Sequence, residues 1–137
     1  MNINVVVFMR KTEKFYENAA AEYEKRLKKY CKLRILRLRP GDPCPKPEGP
    51  GVILQPGGAM LSSEELAEKI EGAQVRGVSR VWVILPGEEL PDTSGWETEP
   101  IRMGLSPMQM SQGLTLTVAL EQIYRAYKII HGETYHK

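Results

Sequence analysis

The sequence predicts a single α/β domain over residues 1–137, built on an open and mainly parallel sheet with helices on both faces. Short, almost continuously apolar segments at Asn4–Met9 and Arg80–Leu85 are typical of strands that are covered on both faces. Segments with an apolar residue every three to four positions separate the strands, as in helices with one buried face. A chain of 137 residues with 42% apolar residues is long enough to bury a core of this kind.

The first third of the chain reads as strand, helix and strand. Asn4–Met9 predicts the first strand and Leu33–Arg39 the second. The segment between them, Thr12–Lys29, predicts a helix with an uncharged residue at every fourth position: Phe15, Ala19, Tyr23 and Leu27. A βαβ unit of these lengths places its two strands in parallel.

The segment Pro40–Gly51 predicts a loop, because five prolines and three glycines in twelve residues leave no regular element. We expect this loop to thin one face of the sheet without touching the chemistry directly. Val52–Leu54 predicts a short buried strand, and Gln55–Gly58 predicts the turn that follows it. Taken alone, Gly57-Gly58 indicates no more than that turn.

A helix start is encoded at Leu61–Leu66. Ser62 is expected to cap the helix, Glu65 to complete a capping box, and the two leucines that bound the segment to form a hydrophobic staple. The helix is expected to run to about Arg76 and to end at Gly77, before the strand Arg80–Leu85.

Ligands of open parallel sheets bind beyond the carboxyl ends of the strands, which here are Gln55–Gly58 and Leu85–Glu89. Neither a G-x-G-x-x-G segment nor a P-loop occurs, so a typical dinucleotide or nucleoside triphosphate site is not supported. The irregular segment Asp92–Met103 is either a flexible cover over this region or a contribution to a partner subunit.

The last predicted helix spans Gln112–His131 and ends at Gly132. Glu121 and Arg125 lie four residues apart on it, so their side chains can pair; the plain interpretation is a surface ion pair. The chain then closes on Thr134–Lys137, which is either a frayed terminus or a site.

Charge and cysteine content narrow the class of protein. The formal charge is only +2, but eight Lys or Arg and no acidic residue lie in Lys25–Arg39. This run is either a solvated surface or a stripe that contacts phosphates. Cys31 and Cys44 form neither a disulfide framework nor a zinc set, and we expect no metal site. The apolar run Ile3–Met9 is too short for a signal peptide or a membrane span, so we expect a cytoplasmic protein without membrane contact.

The segment Leu120–Tyr127 (LEQIYRAY), followed by Gly132-Glu133 and the ending Tyr135-His136-Lys137, resembles the C-terminus of the RlmH family. The resemblance extends to Met1–Leu27, which aligns with the opening of that family without a gap. RlmH proteins are SPOUT-class methyltransferases that act on N3 of a pseudouridine in 23S ribosomal RNA. The resemblance therefore implies a SPOUT-like α/β fold with a C-terminal trefoil knot. It also implies a homodimer in which the tail of one subunit completes the site of the other.

The resemblance also implies a cofactor, S-adenosylmethionine, held where three loops meet. The cofactor-binding positions that it implies are Leu54, Gly58, Leu85, Ser106, Met108 and Ser111. The first loop follows the strand that ends at Leu54, the second follows the strand RVWVIL, and the third spans Ser106–Ser111.

Four residues match the catalytic motif of the family. The unperturbed pKa of histidine suits a general base, and the resemblance assigns His136 to take the N3 proton. Arg125 can hold a phosphate or a ring carbonyl through its planar fork, and Glu121 fixes its direction. Tyr135 can stack on the target base.

Three positions depart from the family pattern. The sequence has Leu85-Pro86 in place of Gly-Gly, Ser111-Gln112 in place of Pro-His, and Leu116 in place of an arginine. Two hypotheses therefore stay open. The first is an active methyltransferase of ribosomal RNA. The alternative is a non-catalytic RlmH-like homodimer that has lost donor binding and only contacts RNA or the ribosome.

Overall fold

The computed structural model of the protein describes residues 1–135, and its central feature is a parallel five-stranded sheet. The strands are β1 (Asn2–Val7), β2 (Lys32–Arg37), β3 (Gly51–Met60), β4 (Arg80–Leu85) and β5 (Ile101–Gly104). The helices are α1 (Lys14–Leu27), α2 (Ser63–Val75) and α3 (Gln112–Ile130). The strand order is β2-β1-β4-β3-β5, and every described pairing is parallel. The predicted parallel α/β class is confirmed, and the trefoil knot stays a prediction.

All three helices pack on one face of the sheet, which differs from the predicted arrangement with helices on both faces. Val5 and Val7 of β1 belong to the core cluster that contains the buried side chains of the helices. Val6, which points the other way, packs in a second cluster with half-buried side chains from loops and strands: Phe8, Leu36, Leu38, Cys44, Trp82 and Trp96. The physical reason is the loop that follows β2, whose prolines prevent a helix on that side.

The predicted helix ends are confirmed. Ser62 Oγ accepts a hydrogen bond from the Glu65 N–H (3.1 Å), and the Glu65 carboxylate accepts one from the Ser62 N–H (2.9 Å). This is the predicted capping box at the start of α2. Gly77 and Gly132 follow α2 and α3 with φ of +81° and +65°, a conformation that glycine adopts without strain.

Two predicted boundaries were wrong. β3 does not stop at Leu54; it continues through the predicted turn to Met60, with a shift in its pairing to β5 between Leu54 and Ala59. Gly58 permits this, because a Cβ at that position would lie 2.5 Å from the carbonyl carbon of Met103. Within the segment that was predicted to be irregular, Ile101 begins β5, so the cover over this region is shorter than expected.

Helix α3 is the central element of the core. It packs against both α1 and α2, and its side chains Leu120 and Tyr127 are among the largest that are fully buried. Its N-terminus lies at the carboxyl edge of the sheet, near Leu85 and Pro86, and its C-terminus lies beside Tyr30, just before β2. α3 therefore connects the two ends of the molecule. Within residues 1–135 no helix is long and apolar enough to cross a membrane.

Candidate active site: a cleft at the carboxyl edge and a cluster at the tail

A cleft of about 1310 Å³ lies at the carboxyl edge of the sheet. The segments that line it are residue 8 after β1, residues 40–44 after β2, residues 54–56 of β3, residues 85–91 after β4, and residues in the range 105–115. This is where the predicted ends of the parallel strands were expected to form a ligand site. Its volume exceeds that of many small-molecule sites, so it has room for a ligand of nucleoside size.

The cleft brings together four of the six predicted cofactor positions: Leu54, Leu85, Ser106 and Met108. The other two have structural contacts elsewhere. Gly58 lies against the backbone of Met103, and Ser111 caps α3 by accepting a hydrogen bond from the Leu114 N–H (3.3 Å). The cofactor role of all six positions stays a prediction.

The Pro-rich loop forms part of the cleft, which corrects the expectation that it would lie away from the chemistry. Pro40–Cys44 lines one wall and brings Asp42 into the lining, where one carboxylate oxygen accepts a hydrogen bond from the Arg39 N–H (2.8 Å). The loop reaches the cleft because it leaves the carboxyl end of β2, at the same edge as the other loops.

The charge in the cleft has one sign. Asp42, Glu88 and Glu89 line it, and no Lys, Arg or His of residues 1–135 does. Carboxylates around a partly enclosed space attract a cationic ligand and repel an anionic one. The cleft therefore favours a ligand with net positive charge, and an RNA phosphate would have to be held elsewhere.

Gln112, the first residue of α3, is a structural residue of the cleft that was not among the predicted site residues. Its Oε1 accepts a hydrogen bond from the Phe8 N–H (3.2 Å), and its Nε2 donates to the carbonyl of Pro86 (2.6 Å) and to that of Leu85 (3.4 Å). One side chain thus joins the loop after β1, the loop after β4 and the start of α3. The sequence indicated this role in one way: Gln112 stands at the position where the family pattern has a histidine.

Two of the three departures from the family pattern are core residues. Leu116 is 2% exposed, and Leu85 is fully buried; both side chains belong to the main core cluster. Buried leucines of this kind stabilise the fold. Leu116 does not line the cleft, whereas Leu85 and the half-buried Pro86 both form part of its wall.

At the other end of α3, three of the four predicted catalytic residues form one cluster. Arg125 Nη2 and Nε donate to Glu121 Oε1 at 2.6 and 3.0 Å, and the Tyr135 hydroxyl donates to the same oxygen at 3.3 Å. The Arg125 guanidinium lies 4.8 Å from the centre of the Tyr135 ring, within range of a cation–π contact. His136 lies outside the described residues.

The surroundings of this cluster favour the protonated forms of both of its donors. Burial raises the pKa of Tyr135 to about 12, so its hydroxyl stays protonated even in moderately alkaline solution. The hydrogen bonds to Glu121 raise the pKa of Arg125 further. The Glu121–Arg125 pair is 19% and 23% exposed, so it is better shielded from solvent than an ordinary surface ion pair.

The cluster and the cleft lie apart within one chain. Thr115 is the last residue of α3 that lines the cleft, and Glu121 and Arg125 follow it by six and ten residues on the same helix. At the rise of an α-helix this corresponds to about 9 and 15 Å along the axis. The tail cluster, defined by Glu121, Arg125 and Tyr135, therefore lies apart from the cleft of its own chain.

A parallel α/β sheet with a cleft beyond the carboxyl ends of its strands places this protein in the class of open-sheet α/β proteins, which bind their ligands at that edge. Residues 44–136 match the family model described as "Predicted SPOUT methyltransferase". The chain belongs to the SPOUT methyltransferase family, in the RlmH branch that the resemblance of its C-terminus predicted.

The relatives that establish this branch align over their full length. "Ribosomal RNA large subunit methyltransferase H 1" of Thermoanaerobacter sp. (strain X514) is 37% identical over 140 residues, and the alignment covers 100% of both chains. Proteins named "Ribosomal RNA large subunit methyltransferase H" from Acetivibrio thermocellus and Alkaliphilus oremlandii are 31% and 32% identical over 159 and 160 residues, again with 100% of both chains covered.

Proposed function

We propose that this chain, as a single SPOUT-like domain, transfers a methyl group from S-adenosylmethionine to N3 of a pseudouridine in 23S ribosomal RNA. It acts as a homodimer in the cytoplasm, where ribosomes are found. The observation that carries the proposal is the acidic cleft at the sheet edge of a SPOUT methyltransferase family member. Ribosomal RNA of the large subunit is the substrate that the names of its relatives state.

The residues of the cleft fit the donor by charge and by surface. S-adenosylmethionine has a sulfonium and an ammonium against one carboxylate, so its net charge is positive and matches Asp42, Glu88 and Glu89. Leu54 and Leu105 provide apolar wall for the adenine ring, while Ser106 provides a hydroxyl. When bound, the donor supplies an electrophilic methyl group, so the enzyme chiefly has to align the acceptor and take up its proton.

The tail residues provide a base, a guanidinium and an aromatic ring for the pseudouridine that accepts the methyl group. His136 takes the proton of the pseudouridine N3–H, and Arg125 stabilises the charge that develops on the ring carbonyls. Glu121 holds the guanidinium in a fixed direction through two hydrogen bonds. Tyr135 presents an aromatic ring for stacking, and its hydroxyl donates a hydrogen bond to Glu121.

We infer that a second copy of the chain completes the site, because Glu121 and Arg125 of the tail cluster lie about 9 and 15 Å along α3 from Thr115, the last residue of the helix that lines the cleft of the same chain. Large apolar side chains around the first turn of α3 are exposed: Phe15 (64%), Met108 (77%) and Leu114 (36%). Exposed apolar side chains grouped in this way favour an interface. A dimer that covers them brings the tail of one subunit to the cleft of the other.

Calorimetric titration of S-adenosylmethionine into the purified protein tests the donor site, and methyl transfer to 70S ribosomes that lack the modification tests the activity. We expect saturable, stoichiometric heat and incorporation of the methyl group at one pseudouridine. An absence of heat would favour the non-catalytic alternative.

The division of the site between subunits is tested by mixing two inactive variants. His136→Ala removes the tail base, and Ser106→Trp fills the cleft. After subunit exchange, mixed dimers contain one complete site, so about a quarter of the wild-type activity should return if the sites are shared across a two-fold dimer. If each chain used its own tail and cleft, mixing would restore nothing.

A further inference from the structure

Four exposed lysines occupy eight residues where α1 ends and β2 begins: Lys25, Lys28, Lys29 and Lys32. We call this segment the lysine turn. Within residues 1–135, Lys29 alone among the four has a carboxylate within 4.0 Å, that of Glu133. Two basic residues nearby are paired, Arg26 with Glu22 (2.9 Å) and Arg37 with Glu17 (3.1 Å), whereas Arg34 of β2 is exposed and adds to the positive charge. The lysine turn is therefore a concentrated and largely uncompensated positive charge.

The lysine turn is firmly attached to the segment that leads to the tail cluster. Tyr30, inside the turn, stacks on Tyr127 of α3 with ring centres 5.5 Å apart and an angle of 13° between the rings. Its hydroxyl donates to Glu133 (2.7 Å), which also accepts from Lys128 (2.9 Å). Because Glu133 precedes Tyr135 by two residues, these contacts hold the turn beside the tail cluster and at the opposite end of α3 from the acidic cleft.

We propose that the lysine turn is the RNA-docking surface of the enzyme, where Lys25, Lys28 and Lys32 bind phosphates and bring the target nucleotide to Tyr135 of the same chain. This inference rests on the proposed function, since it assumes an RNA substrate. It explains the separation of charge within the chain: the cationic donor binds at the acidic end, and the anionic acceptor binds at the basic end.

The surroundings of the turn favour RNA over an anionic membrane. Stable attachment of a basic segment to a membrane usually combines its charge with exposed apolar side chains that enter the lipid interface. The exposed large apolar residues of the described chain lie elsewhere: Phe15, Met60, Val75, Leu90, Ile101, Met108 and Leu114. Beside the turn, the ring of Tyr135 is only half-buried, and aromatic rings of this kind suit nucleic acid bases.

The test removes three charges without disturbing the anchoring contacts. A variant with Lys25→Gln, Lys28→Gln and Lys32→Gln keeps Lys29 and Tyr30, and all three side chains are exposed, so the fold is retained. Binding to purified 70S ribosomes is measured by cosedimentation across a series of KCl concentrations. Loss of three phosphate contacts should weaken binding on the order of 100-fold at about 0.1 M salt and reduce the log–log salt slope by about 2 to 3.

A matched control makes the same change of charge on other surfaces. Lys46→Gln, Lys69→Gln and Arg76→Gln replace exposed residues outside the turn, and this variant should bind ribosomes like the wild type. Equal losses of ribosome affinity in both variants would show that any positive charge on the protein attracts the ribosome, and would overturn the proposal. Wild-type affinity and salt slope in the lysine-turn variant would also overturn it, as would binding of the turn to phosphatidylserine vesicles in preference to ribosomes.

Calorimetry with S-adenosylmethionine separates this proposal from the proposed function. The lysine-turn variant should bind the donor like the wild type, because the turn lies at the far end of α3 from the cleft. If the protein bound no donor but its ribosome binding still depended on the lysine turn, the proposed methyltransferase activity would be refuted and the docking surface would stand. Donor binding and methyl transfer that do not depend on the turn would refute only the docking surface.

Discussion

Gln112→Ala is the substitution that most directly tests how the cleft is held together. The Gln112 side chain makes two well-formed hydrogen bonds, to the Phe8 N–H at 3.2 Å and to the Pro86 carbonyl at 2.6 Å. Each contributes about 1 kcal/mol net, and the half-buried partners left without a partner add a desolvation cost. We expect the free energy of unfolding to fall by about 2–3 kcal/mol.

Urea unfolding measures the loss of stability, and calorimetry measures the loss of donor affinity. The melting temperature should fall by roughly 5–10 °C, given the usual 2–4 °C per kcal/mol for a chain of this size. Donor affinity should fall as well, because the loop at Pro86 forms part of the cleft wall and is no longer held to α3. Gln109→Ala is the control, since Gln109 is exposed and lines the same cleft; its effect should stay within about 0.5 kcal/mol.

If Gln112→Ala unfolded like the wild type and bound the donor with unchanged affinity, the hydrogen bonds of Gln112 would be irrelevant to the site. A loss of stability with unchanged donor affinity would restrict Gln112 to a structural role in the fold.

Three further predictions concern the tail cluster, the core and pH. Glu121→Gln should lower the rate of methyl transfer on the order of tenfold, because Arg125 loses its charged partner. This corresponds to about 1.4 kcal/mol in activation free energy. The donor affinity measured by calorimetry should not change. Leu116→Arg restores the arginine of the family but places a charge at a 2% exposed position, so urea unfolding should show a loss of more than about 3 kcal/mol. Burial raises the pKa of Cys31 to about 11, so the folded state retains the thiol proton longer than the unfolded chain. The contribution of this thiol to the free energy of unfolding is therefore fully present below about pH 9 and is lost as the pH rises toward 11. Urea unfolding should show a loss of roughly 2 kcal/mol over this range, and Cys31→Ala should remove most of this pH dependence.

Each of these expectations has a contrary result. Wild-type turnover of Glu121→Gln would leave the ion pair without a catalytic role. A Leu116→Arg protein as stable as one with Leu114→Arg, at the exposed neighbouring position, would mean that α3 packs differently. An equal loss of stability at high pH in Cys31→Ala would assign the effect to other groups, such as the buried Tyr127, whose pKa is also raised by burial.

The local elements were predictable because their signals are short-range. The capping box of Ser62 and Glu65 involves residues three apart, and the boundaries of the strand Arg80–Leu85 follow from its own apolar run. The Glu121–Arg125 pair follows from helical spacing in the same way. The extension of β3 to Met60 was missed because its pairing partner, β5, lies more than forty residues away and has only four residues.

By itself the sequence determined the parallel α/β class, the order of most elements, the resemblance of the C-terminus and the carboxyl ends of two strands at which the cleft lies. The tertiary structure decided which side chains meet: that the Pro-rich loop forms a wall of the cleft, that Gln112 joins three segments, and that Leu116 is core. It also decided that the acidic cleft and the lysine turn lie at opposite ends of α3. The physical reason is that periodicity and capping depend on neighbours within a few residues, whereas a site depends on distances between residues that are far apart in the chain.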